Sequence, residues 1–366
     1  MYRRQIVPFV LAVVLSLAGC SDGSNPLDPR SPAPPHAAVV PAADTDLVLH
    51  AVPLRPGVAV DLHLKVFVNP AWPPPVCPSE NIILAVPGFA HTAATWRAYA
   101  NAVFSTRSQQ ACEVIALDMP GHGGSGLPTG ITFGELVLDD YATALLAVLD
   151  ALNASGNAPA TLIGHSQGGI VIQMAQQRLV AAGSSLRQAD GVRAVELLAP
   201  VPPAEVPWNF VDSGAAAQVL SAFLVLNDPV LGPHASVPAE YWPPLFFSNL
   251  SGQIASGAPT PAQVTANGYN APAPLYASLQ LVGAPPFSRP SISAGIFADG
   301  YGTRLGVITF EQDQLIRPAE GQALLAHLAG GSSGQKFSTI AGPEAVHDLL
   351  ISNPLAILQG SLPVLP

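Results

Sequence analysis

From Val58 to Val68, apolar positions (Val58, Val60, Leu62, Leu64, Val66, Val68) alternate with a polar set that includes Asp61, His63 and Lys65. A period of two predicts a half-buried antiparallel strand near a sheet edge. The next apolar runs are continuous: Ile82–Val86 and Val114–Leu117 read as interior parallel strands covered on both faces. A third, Thr161–Ile163, and a fourth, Val192–Leu198, read the same way. Strand texture returns at Arg304–Thr309 and again at Lys336–Ile340. Between these runs the period lengthens. Helices are expected over Ala93–Phe104, Ile170–Val180 and Ala319–Leu328, and one more after Pro343. Thr132-Phe-Gly-Glu135 has the form of a capping box and predicts a helix running from there to about Leu152. Val201 to about Tyr301 differs in texture, being rich in Pro, Ala, Ser and aromatics with no strand ladder. Strand–helix alternation with one large insertion predicts an α/β protein whose parallel sheet carries a cap.

Composition changes this picture mainly at the N-terminus. The 366 residues suffice for one large domain or two small ones, and only 10% of them are charged. A net charge of −10, with two lysines (Lys65 and Lys336), lacks the clustered cations of a nucleic-acid binder. Arg3 and Arg4 precede an apolar stretch, Ile6 to Leu17, too short to span a bilayer, which reads as a signal peptide over residues 1–19. It ends Leu17-Ala-Gly-Cys20, which resembles the lipobox of bacterial lipoproteins. That resemblance implies cleavage before Cys20, lipidation of its thiol and new amino group, and a membrane as partner. It places the protein in the bacterial cell envelope; with Ser21 at the second mature position, it implies the outer membrane in a Gram-negative cell. Plain secretory cleavage after a small residue is the alternative. Residues 20–45, with Pro26, Pro29, Pro32, Pro34, Pro35 and Pro41, read as a semi-rigid tether.

The chemistry centres on Gly164-His-Ser-Gln-Gly168, set between a strand run and a helix. This is the G-x-S-x-G nucleophile elbow, in which the serine sits on a sharp strained turn and the helix N-terminus faces its hydroxyl. An ordinary glycine-rich strand-to-helix turn has the same local form. Three further motifs follow in order around it: Val86-Pro-Gly-Phe-Ala-His-Thr92, Leu117-Asp-Met-Pro-Gly-His-Gly-Gly-Ser-Gly126, and Thr309-Phe-Glu-Gln-Asp-Gln-Leu-Ile-Arg-Pro318.

Together these resemble the α/β-hydrolase fold, in its serine esterase and lipase branch, over roughly Asp46 to Pro354. The resemblance implies a core of residues 46–200 and 302–366, with a cap at 201–301 inserted between the sixth and seventh core strands. It assigns Ser166 as nucleophile, Asp313 as triad acid and His347 as base, with Glu311 a competing acid and His327 an ordinary helix histidine. Pro87 replaces the usual histidine of the oxyanion motif, yet Gly88 is kept, so the oxyanion donors fall on the Phe89 and Gln167 amides. His122 is expected to be a loop residue that shapes the edge of the site.

Cys77 and Cys112 lie just ahead of strands that are parallel neighbours in this fold. A disulfide is therefore implied in an oxidising compartment, with two buried free thiols as the alternative. No cofactor or metal is implied, since no His spacing matches a zinc motif. The cap holds one cation, Arg289, beside aromatics at Tyr241–Phe247, Trp208 and Phe210. A neutral apolar ester is the expected small-molecule substrate, unless the aromatics only pack the cap onto the body. Carbon–carbon bond hydrolysis, perhydrolysis or acyl transfer would use the same triad, and a non-catalytic binding protein could share the scaffold.

Overall fold

The structure is a computed structural model and describes residues 43–72, 77–107, 110–225 and 228–361. The expected signal peptide, Cys20 and the expected tether up to residue 42 lie outside the described residues. Six strands precede the insertion: β1 (Ala43–Arg55), β2 (Val58–Val68), β3 (Ile82–Val86), β4 (Glu113–Leu117), β5 (Thr161–His165) and β6 (Ala194–Leu198). The insertion carries the short strands β7 (Leu224–Val225), β8 (His234–Ala235) and β9 (Ala273–Pro274), and the chain closes with β10 (Arg304–Phe310) and β11 (Lys336–Ile340). The main sheet has eight strands in the order β1-β2-β4-β3-β5-β6-β10-β11. Only the β1–β2 and β2–β4 pairs are antiparallel.

Burial explains these elements. Every residue of β3, β5 and β6 is buried, as the continuous apolar runs demand of strands covered on both faces. In β2 the apolar positions Val58, Val60, Leu62 and Leu64 are buried while Asp61 is exposed, so the alternation marks one wet face. Helices α1 (Arg97–Thr106), α2 (Leu138–Ala154) and α3 (Gln167–Ala181) follow β3, β4 and β5. The cap contributes α4 (Trp242–Phe246), and α5 (Pro318–Ala329) packs on β10.

Several boundaries differ from the sequence expectation. β1 is an added strand that begins at Ala43, inside the expected tether; β2 holds it although most of its side chains face solvent and two register shifts interrupt it. The Thr132 capping box forms, with Glu135 accepting from the Thr132 N–H at 2.8 Å, but it opens only the three-residue turn Phe133–Glu135. Leu136 is extended at ψ 139°, and the helix restarts at Leu138, where Asp140 accepts from the Val137 N–H at 3.0 Å. The insertion does contain a ladder, β7-β8-β9, too short to leave a periodic signature. The terminal helix is split into Leu349–Ser352 and Pro354–Gly360, because Asn353 ends one turn and caps the next.

The parallel strands all deliver their carboxyl ends to one edge. There, the loops after β3, β5, β10 and β11 carry Phe89, Ser166, Asp313 and His347. At the opposite edge Cys77 and Cys112 form a disulfide, their Cα atoms 5.8 Å apart, ahead of the paired strands β3 and β4. Closing a loop of 35 residues restricts the unfolded chain. Replacing both cysteines by serine is expected to lower stability by about 3–4 kcal/mol. Denaturant titration of the oxidised protein beside the double variant measures this.

Candidate active site

Ser166 stands at φ 50°, ψ −114°, immediately before α3. Such a conformation costs a non-glycine residue about 1–3 kcal/mol and persists only where its surroundings enforce it. Here the Ser166 N–H donates to the Leu198 carbonyl at 2.9 Å, and its own carbonyl accepts from the Gly169 and Val201 N–H groups at 2.9 and 3.1 Å. The turn also needs its flanking glycines. A Cβ on Gly168 would lie 2.3 Å from the Val86 carbonyl oxygen, and one on Gly164 would lie 2.8 Å from the Gly168 backbone. Glycine lets the first turn of α3 press against the end of β3.

His347 Nδ1 lies 2.8 Å from Asp313 Oδ2, with both side chains buried. The carboxylate can only accept, so Nδ1 carries the proton and Nε2 is left as the basic nitrogen. The other oxygen, Asp313 Oδ1, accepts from the Leu315 and Ile316 N–H groups at 2.7 and 3.0 Å, which fixes the carboxylate in place. Burial pulls the His347 pKa down, but the Asp313 charge and hydrogen bond, with help from the Asp348 charge, more than offset it. The imidazole therefore stands above its ordinary value. Ser166 reaches this pair by adjacency: the His165 ring lies 4.8 Å from the His347 ring, centroid to centroid. Among the described residues no hydrogen bond joins Ser166 Oγ to His347, a contact that often tightens only with substrate in place.

The competing residues sit elsewhere. Glu311 is exposed and accepts from the Gly342 N–H at 2.8 Å, and His327 Nε2 meets the Ile292 carbonyl at 2.7 Å. His122 is buried in its loop with Nδ1 3.0 Å from the Pro120 carbonyl, and burial pushes its pKa down. The motif's acid, Asp118, buttresses the loop after β3 by accepting from the Ala93 N–H at 2.6 Å.

Phe89 and Ser166 line one pocket, and Gln167 opens α3, where its N–H has no intrahelical acceptor. Among the described residues neither the Phe89 nor the Gln167 amide donates to a protein acceptor, so both remain available to an oxyanion. The cap holds this loop from above, the Ala271 N–H donating to Ala90 at 2.7 Å and the Thr92 N–H to Tyr269 at 3.1 Å.

The pocket is a cleft open to solvent on one side, about 600 Å³ with its mouth included, and its described lining residues are apolar except Ser166 and Ser278. The Ser278 hydroxyl donates to the Pro274 carbonyl at 2.6 Å, and the indole N–H of Trp208, also in the wall, donates to Leu315 at 2.7 Å. Among the described lining residues the Ser166 hydroxyl is thus the one uncommitted polar side chain. Arg289 hydrogen-bonds the Val206 carbonyl at 3.3 Å and lies over the Trp208 ring, outside the lining set. The cap aromatics divide their roles. Trp208, Phe210 and Phe246 face the pocket, whereas Trp242 and Phe247 pack with Ala90 and Val346 of the body.

One group among the described residues has the composition of a metal site: His91, His165 and Asp348 bring one ligand-type atom each within 4.8 Å of one another. The donor set does not suit an ion. His165 Nε2 lies 3.0 Å from the His347 carbonyl and so bears a proton, leaving its lone pair on Nδ1, which points at Gly88 rather than at the carboxylate. Burial lowers the His165 pKa to about 3, so the ring is neutral with that single proton. Sequence reading assigned these three residues no role. The available signal was their position: beside the oxyanion motif, immediately before the serine, and immediately after His347.

The sheet order, the elbow at the end of β5 and the acid and histidine after β10 and β11 define an α/β-hydrolase architecture. The model of the Alpha/beta hydrolase family matches residues 83–355, and the chain belongs to that family. Among solved structures it is similar to an esterase from Exiguobacterium antarcticum, at 12% identity over 82% of this chain and 94% of that one, with a TM-score of 0.51. It is also similar to naproxen esterase (carboxylesterase NP) from Bacillus subtilis, at 15% identity over 88% and 91% of the two chains, with a TM-score of 0.51. No curated protein matches in sequence. Identities this low establish the fold alone.

The His347 imidazole is expected to titrate above the usual histidine value of about 6.5. Asp313→Asn removes the charge that favours the imidazolium, so the pKa should fall in that variant. Nitrogen-15 NMR of the imidazole resonances follows both; a His347 signal that titrates below the usual value in the unaltered protein would contradict the assignment.

Proposed function

We propose that the protein is a serine-dependent carboxylic-ester hydrolase acting on neutral, apolar esters through an acyl-enzyme. The observation that carries this reading is the Ser166 hydroxyl, among the described lining residues the one side-chain polar group left uncommitted, held on a strained turn beside the His347–Asp313 pair. The acyl chain lies along the cap wall near Trp208, Phe210 and Leu220. Ser166 Oγ attacks the ester carbonyl as His347 Nε2 takes its proton. Asp313 holds the imidazolium without itself becoming protonated. The Phe89 and Gln167 amides receive the oxyanion; loss of one such donor costs about 3–4 kcal/mol in the barrier. His347 then gives its proton to the departing alcohol, and water, activated by the same nitrogen, releases the acid.

A wall without a free cation also argues for uncharged substrates, because carboxylates and phosphates are normally met by Arg or Lys. Full-length protein purified in detergent should be labelled by a fluorophosphonate, and Ser166→Ala should lose that labelling. His347→Ala should lower ester turnover by roughly 10⁴-fold or more. The same preparation should prefer neutral esters to chain-matched esters bearing a carboxylate. Labelling that persists in Ser166→Ala would remove the serine from the mechanism.

We further propose, on the N-terminal sequence, that Cys20 is lipidated and anchors the protein to the cell envelope. Wild-type protein should fractionate with membranes and incorporate labelled palmitate, and Cys20→Ala should do neither. Soluble, unlabelled wild type would leave only plain secretion.

A further inference from the structure

We propose that Asp348 is a positioning residue whose buried carboxylate ties together the three loops that carry the reacting groups. The inference rests on the hydrolase reading above and extends it to residues outside the triad. Asp348 Oδ2 lies 3.2 Å from His91 Nε2, and Oδ1 lies 3.5 Å from His165 Nε2. All three side chains are essentially without solvent exposure. Each arm is a short step from chemistry: His91 follows Phe89 by two residues, His165 precedes Ser166, and Asp348 follows His347.

The carboxylate cannot serve as a second triad acid, because His347 Nδ1 is already committed to Asp313. What it can do is fix relative positions. Both approaches are close contacts without the alignment of a hydrogen bond, so the tie is the packing of a buried carboxylate against two imidazole edges in an interior closed to water, and removing the charge or one ring changes how the three segments sit against one another. Burial acts to raise the Asp348 pKa, but the imidazoles of His91, His165 and His347 outweigh it, so the carboxyl stays below its ordinary value and charged. His165 Nε2 makes a second tie, donating to the His347 carbonyl at 3.0 Å. The cap seals the cluster. Trp242 and Phe246 of α4 pack on the His91 ring at 4.6 and 5.1 Å between centroids, and the Asp348 N–H donates to the Phe246 carbonyl at 3.0 Å. The oxyanion loop, the elbow and the histidine loop are therefore joined at one point behind the site, with the cap closed over it.

The test uses full-length protein and a neutral ester, with Asp348→Asn, His91→Gln and the double variant. Misplacement of reacting groups by a fraction of an ångström predicts a loss of about tenfold or more in kcat for each single variant. KM should change less than kcat, because neither substitution replaces a residue that lines the pocket. The double variant should be no slower than the slower single one, since both break the same contact. Single variants that fold and keep wild-type kcat overturn the proposal, as does a double variant whose losses multiply. If Asp348→Asn fails to fold, His91→Gln decides alone: kcat lowered by more than KM changes, at an unchanged melting midpoint, supports the tie, and unchanged kcat overturns it. Stoichiometric metal in the purified protein, with activity lost on chelation, overturns it in favour of a metal centre. Fluorophosphonate labelling of wild type keeps the two readings apart. Unlabelled wild type defeats the hydrolase assignment; labelled wild type with unaffected variants defeats only the role of Asp348.

Discussion

The backbone of Gly168 lies against the carbonyls of Val86 and Pro87, closer than any side chain would permit. That approach sets the distance between the first turn of α3 and the end of β3, and hence between the Phe89 and Gln167 amides. It also forces Ser166 into its positive-φ turn, since the chain must leave β5 and enter α3 within a single residue. The hydrogen bonds from Ser166 to Leu198 and from Val201 to Ser166 then tie the turn to the end of β6 and the start of the cap. Strain at one residue is held by contacts with two neighbouring strands, and the hydroxyl is left as the group that nothing inside the protein claims.

How far the sequence disclosed this depends on whether burial was written in periodicity. Strands β3 and β11 can be read to the residue, the first because Ile82–Val86 is unbroken and apolar, the second because Gly334-Gln335 precedes it and Ala341-Gly342-Pro343 follows it. The Ser166, Asp313 and His347 positions are legible because motif and chain order restrict them to a few candidates. β1 is not legible, because its stability comes from pairing with β2 and most of its side chains are wet. The Thr132 capping box is a correct local signal with a wrong extent: capping starts a turn, but only the following backbone decides whether a helix continues, and Leu136 is extended. The His91–His165–Asp348 group is invisible for a different reason. Its members are separated by 74 and 183 positions in the chain, and no local pattern records a contact made by three loops.

The cap joins two tasks in one segment. Its pocket-facing residues form an apolar wall in which polar atoms such as Trp208 Nε1 and Ser278 Oγ are satisfied internally. Its body-facing residues, Trp242 and Phe247, bury themselves against Ala90 and Val346. The second set makes the first set's geometry dependable, because the segment pairing at Ala90–Ala271 holds the cap to the very loop that carries Phe89. A substitution under the cap would thus be felt at the oxyanion position without touching substrate.

The disulfide lies at the opposite edge of the sheet from all of this. The linkage between Cys77 and Cys112 precedes β3 and β4, while Ser166, Asp313 and His347 sit beyond the other ends of the parallel strands. The covalent tie therefore bears on how firmly the entry side of the sheet is held rather than on the groups beyond its exit side. The disulfide secures the entry side of the sheet, and among the described residues that line the pocket on the exit side none carries sulfur. The covalent tie and the candidate site thus occupy opposite ends of one parallel sheet.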